Sequence, residues 1–162
     1  MLVARHYGTA VAPLAGARWT GSFSGRNAHD LALLVTARGS AAFLPSAVVV
    51  TQVLQEGPAT RPARLDEPGA AGALAVAILH ADPAKRDFGQ PRAAHLVVHL
   101  HRAGLARMPD SGDVKRVAAS ALTRRLGCAG DALGVRTESS ATMYLCWSRG
   151  RYRLVGDPDD LP

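Results

Sequence analysis

The chain has 162 residues, of which 48% are hydrophobic and 20% charged, with a net charge of +6 and a pI of about 10.1. That composition excludes a disordered chain, and the length suits one domain with a real core. No apolar run reaches membrane-spanning length, so a soluble, cytoplasmic protein without membrane contact is expected.

The first residues, MLVARHYGTAVAPLAGAR, carry a positive charge at Arg5 and a small-residue stretch at Ala15-Gly16-Ala17. Gly8 and Pro13 break the apolar segment between them, which argues against a signal peptide. RWTGSFSG (residues 18–25) alternates and ends at the turn residues Gly25-Arg26-Asn27. LALLVTA (31–37) and the β-branched SAVVVTQVLQ (46–55) continue a meander, with Pro45 opposing a helix between them. GPATRPARLDEPGAAG (57–72) has three prolines and little to bury, so it reads as a long surface loop within a single domain spanning 1–162.

LAVAILHA (74–81) is a short apolar strand ended by Asp82-Pro83. HLVVHLH (95–101) holds three of the six histidines. As a strand it puts His95, Val97, His99 and His101 on one face and Leu96, Val98 and Leu100 on the other. His95 and His101 are then about 20 Å apart, too far for one ion. His99 and His101, about 6.6 Å apart along the strand, are the metal candidates, with zinc the ion and a metal-dependent hydrolase-type enzyme the alternative function. Hairpin pairing with residues 74–81 sets His80 near His95, at the far end from His101. Read as a helix, the same stretch has no HExxH pattern. It would, however, give an element order that resembles the second half of a winged helix, with residues 149–153 as the wing.

DVKRVAASALTRRLG reads as the main helix, residues 112–126, capped by Asp110 or Ser111. Val114, Val117, Ala118, Ala121, Leu122 and Leu126 form its apolar stripe. Arg116, Ser120, Thr123 and Arg124 lie on the opposite side. SATMYLCW (140–147) and RYRLV (151–155) form a hairpin turning at Ser148-Arg149-Gly150. Met143, Leu145, Trp147, Tyr152 and Leu154 face inward, while Tyr144, Arg151 and Arg153 face outward. Cys128 and Cys146 have no CxxC context and read as two buried free thiols, a disulfide requiring an oxidising compartment. The expected fold is therefore α+β: an antiparallel sheet, made of the N-terminal meander and the C-terminal hairpin, with one main amphipathic helix packed on it.

From Lys85 to Arg153 there are thirteen basic and five acidic residues, a surplus of eight positive charges. Seventeen of the nineteen basic residues are Arg, which in an Ala- and Gly-rich chain is partly a matter of coding composition. No phosphate-binding loop, dinucleotide fingerprint or nucleophile elbow occurs; in GSFSG the nucleophile position is Phe23. The function expected is a non-enzymatic basic binding module without a cofactor. Its partner is nucleic acid or an acidic protein surface in a larger assembly. Arg116, Arg124, Arg149, Arg151 and Arg153 supply charge, and Tyr144 supplies stacking. The sequence sets no oligomeric state.

Overall fold

A computed structural model describes residues 2–26, 29–37, 44–52, 74–85, 88–98, 114–136, 141–157 and 159. The fold is mostly β rather than α+β: 55% of the described residues are in strands and 10% in helices. In chain order the elements are α1 (Leu2–Tyr7), β1 (Val11–Gly21), β2 (Asp30–Ala37), β3 (Val48–Gln52), β4 (Leu74–His80), β5 (Ala93–Val98), β6 (Val114–Val117), α2 (Ala121–Arg125), β7 (Ala132–Arg136), β8 (Thr142–Ser148) and β9 (Arg151–Gly156). They build a five-stranded sheet in the order β1-β2-β4-β5-β3 and a four-stranded sheet in the order β6-β7-β8-β9. All neighbours are antiparallel except β3 and β5.

The two sheets share one apolar interior. Ala32 and Leu34 of β2, Val76 and Ile78 of β4 and Val97 of β5 meet Val114, Leu133, Val135, Leu145 and Tyr152 of the smaller sheet. Period-2 alternation sends the intervening residues to the opposite face. There Leu31, Leu33, Val35, Ala77, Leu79 and Leu96 form a second cluster with Val3 and Tyr7 of α1. The three central strands of the larger sheet, β2, β4 and β5, are thus buried on both faces, which is why β2 and β4 read as nearly continuous apolar runs. The opening residues are part of this core. Tyr7 is fully buried, and its hydroxyl donates toward the carbonyls of Ile78 and His95, both at 3.0 Å.

The meander and hairpin strands expected from the sequence are present, and β5 is a strand over its described length, not the helix a winged-helix order needs. The first strand lies earlier than expected: residues 22–26 form the turn after β1. The proline-rich segment 57–72, His99, His101, Asp110 and Ser111 lie outside the described residues.

The expected helix over 112–126 is not formed. Val114–Val117 instead pairs with β7, in the register Val114↔Val135 to Val117↔Ala132. Val114 faces the sheet interior and Val117 the opposite side, so the two valines serve different faces rather than one stripe. The amide of Ala119, which in a helix would bond the Lys115 carbonyl, donates to Asp131 Oδ1 at 2.9 Å. Ser120 then starts the five-residue α2 with a capping box, its amide donating to Thr123 Oγ1 at 2.8 Å. Thr123, expected on the outward side, is buried. The 3-4 spacing was real, but a strand, a latch and a cap divide it.

The outer face of the smaller sheet is closed by α2 and the loop after it. Leu126, Cys128, Ala132, Tyr144 and Cys146 form a third cluster, flanked by Val117, Leu122 and Val155. Cys128 and Cys146 are joined by a disulfide rather than being free thiols.

Candidate functional site

The basic residues of the C-terminal half are sorted by the smaller sheet. Directly paired residues on neighbouring strands point to the same face. Lys115 pairs with Gly134, which pairs with Tyr144, and Arg153 pairs with Cys146. Lys115, Arg136, Arg151 and Arg153 therefore belong to the outer face, the side of α2 and the disulfide. Arg124 projects from α2, and Arg149 sits in the hairpin turn. Lys115, Arg124, Arg136, Arg149 and Arg151 are exposed and Arg153 is half-buried. No ion pair joins any of these six to an acidic group among the described residues. The hairpin presents its arginines because β8 and β9 close through two residues with positive φ, Arg149 at 50° and Gly150 at 82°. That geometry matches the right-handed strand twist and keeps the turn tight. β9 is also an edge strand among the described residues, so one side of its backbone is paired to no described strand.

Two of the residues singled out from the sequence do not join this face. Arg116 pairs with Leu133, an interior residue, so it points to the other side of the sheet. It lies on the opposite edge strand, about 14 Å across the sheet from β9. There its Nε donates to Asp131 Oδ2 at 2.7 Å. Tyr144 has the outward parity expected of it, but α2 covers it and it is buried. A buried ring offers no stacking platform. Arg125, next to Arg124, is engaged by Asp157 and Asp159, both at 2.9 Å. Lys115 and Arg136 were missed in the sequence because residues 132–136 carried no recognised strand signal, and Lys115 was assigned to a helix.

A second polar cluster lies between the sheets. β4 pairs with β5 so that Ile78 faces His95 and His80 faces Ala93. This sets His80 and His95 on neighbouring positions of the interior face, near each other as hairpin pairing implies. Their ring centroids are 4.5 Å apart. Trp147 and Tyr152, paired across β8 and β9, pack on both rings at centroid distances of 4.9 to 5.7 Å. His80 Nε2 and the Tyr152 hydroxyl are hydrogen-bonded at 2.6 Å. Burial drives the Tyr152 pKa well up, so the phenol keeps its proton within this hydrogen bond. Neither ring nitrogen of His95 has a partner among the described residues. Burial, reinforced for His80 by Arg92 and Arg26 and for His95 by His80, pushes both imidazoles down to about 4. Both rings are neutral at neutral pH.

Two buried carboxylates fix the loops around this cluster. Asp30 accepts the Ser24 amide at 2.6 Å and the Ala81 amide at 2.9 Å. Burial pushes its carboxyl up, with the two amides acting against the shift. Asp131 accepts from Ser22, Ala119 and Arg116. Burial raises it too, but these bonds outweigh burial and hold it below the usual carboxylate range. No group of three or more His, Cys, Asp or Glu among the described residues is placed to hold a metal. No described helix is long and apolar enough to cross a membrane. Comparison with protein-family models, curated proteins and solved structures found no match.

Proposed function

We propose that this chain is a non-enzymatic basic binding module that docks an acidic protein surface through the exposed basic residues on the α2 side of its four-stranded sheet. The observation that carries the reading is the set of six basic residues on that side, Lys115, Arg124, Arg136, Arg149, Arg151 and Arg153, without ion pairs to described acidic groups. Exposed guanidinium groups steer and hold an anionic partner. Nucleic acid is the lesser reading. The aromatic side chain that would stack on bases is beneath α2. What remains is charge without base readout. The Cys128–Cys146 disulfide supports action in an oxidising compartment over the reducing cytosol.

The test is a ligand panel read against salt. The oxidised chain is titrated with poly-glutamate, single-stranded DNA and double-stranded DNA at salt concentrations from about 50 to about 200 mM. Binding to poly-glutamate at low salt, weakening steeply as salt rises, is the expected result. Preference for DNA at every salt concentration moves the partner class to nucleic acid. No binding to any of the three at low salt contradicts the proposal.

A further inference from the structure

The histidine pair between the sheets is an unusual way to fill a core. A neutral imidazole carries one N–H donor and one acceptor, and His95, at 4% exposure, leaves both without a partner among the described residues. Each such group is destabilising relative to an apolar ring of the same shape. Phe would make the same contacts with Trp147 and Tyr152 without that penalty. What distinguishes a histidine here is its capacity to take up a proton.

The surroundings oppose that proton. From β4 and β5 each ring faces the other at 4.5 Å. Arg92, just before β5, and Arg26, in the turn after β1, add positive charge near His80. From β8 and β9 the neighbours are Trp147 and the protonated phenol of Tyr152. From α1, Tyr7 reaches the His95 carbonyl and not its ring. Asp30 of β2 favours a charged His95, but its two oxygens already hold the Ser24 and Ala81 amides. Asp131, whose charge acts on Asp30, is engaged by Arg116.

We propose that His80 and His95 form an acid-operated latch: neutral, they let the β8–β9 hairpin seat on β4 and β5, and protonated, they drive it off. The hairpin supplies both rings that cap the pair, and since β8 is also paired to β7, the hairpin lifts with the smaller sheet that carries it. Because β9 also carries Arg151 and Arg153, the latch regulates the docking face, but it stands on the buried cluster and not on any partner. The sign follows from the ring chemistry. Rings held near 4 when folded and at the ordinary 6.5 when unfolded favour the folded state fully above 6.5 and lose that contribution as pH falls toward 4. At about pH 5 each ring lowers the folding equilibrium about thirty-fold, and the pair about a thousand-fold.

The experiment compares urea unfolding of the oxidised chain at neutral pH and at about pH 5 with that of His95→Phe and of His80→Phe/His95→Phe. With Trp19 replaced by Phe in every chain compared, Trp emission follows the seating of Trp147. The native chain is expected to lose about 500-fold more in its folding equilibrium between neutral pH and about pH 5 than the double variant, with His95→Phe between them. Equal acid sensitivity in all three overturns the latch. NMR titration of the native histidine ring protons decides even if a variant fails to fold. Rings of His80 and His95 that stay neutral to about pH 5 support the proposal, and titration near the ordinary 6.5 overturns it.

Discussion

Reducing the Cys128–Cys146 bond perturbs one defined piece of the fold. The bond encloses a sequence separation of 18 residues, running from the loop after α2 through β7 to β8. Cys146 lies on the covered face of a central strand and Cys128 on the lid above it. For a loop of that length the chain-entropy relation gives a stabilisation of about 3 kcal/mol. In a domain of this size that corresponds to a fall in Tm of about 6 to 12 °C. Both cysteines are buried, and with that packing kept after reduction the entropic contribution dominates. Urea unfolding with and without dithiothreitol measures the difference. Hydrogen exchange locates it: amides of α2 and the following loop should lose protection first, since the bond pins that segment to β8. An unchanged midpoint after verified reduction would refute the reasoning. So would mass spectrometry that finds two free thiols in protein produced under oxidising conditions.

Other substitutions test other joints. Asp131→Asn removes a charged acceptor of three donors and should lower stability by about 2 kcal/mol at neutral pH in urea melts. Its carboxyl is held below 3.8 when folded, so its contribution is present above 3.8 and lost as pH falls through the lowered value. The gap between native and variant should therefore close only in strong acid. Gly130→Ala places a Cβ against the Ser22 carbonyl, where the two loops meet backbone to backbone. A loss of about 3 kcal/mol by thermal melting is expected, and a neutral result would mean that the loops separate easily.

The sequence made the strand content legible where alternation and apolar runs agreed. β2, β4, β5 and the β8–β9 hairpin stand where period-2 patterning and turn residues placed them. The nearness of His80 and His95 also followed, because antiparallel pairing across the intervening loop fixes which positions meet. The region from 114 to 126 was misread for a physical reason. Its apolar spacing suits a helix, but what divides it lies elsewhere in the chain: pairing with β7 and the carboxylate of Asp131. Local periodicity carries no record of a long-range acceptor. Tyr144 shows the same limit. Parity along β8 put it on the outer face, and only the packing of α2 made that face an interior. The arginine face was half legible. The charge surplus was visible, whereas its sorting, with Arg116 to one side and Lys115 and Arg136 to the other, depends on strand register.

The docking face is tested most directly by moving the same amount of charge from two places. Arg149→Gln/Arg151→Gln/Arg153→Gln neutralises the hairpin, and Arg5→Gln/Arg18→Gln/Lys85→Gln neutralises three exposed positions remote from the smaller sheet. Affinity for poly-glutamate at low salt should fall about tenfold for the hairpin variant and change little for the remote one. Equal weakening by both would mean that only net charge matters, and the assignment of the outer face would fail.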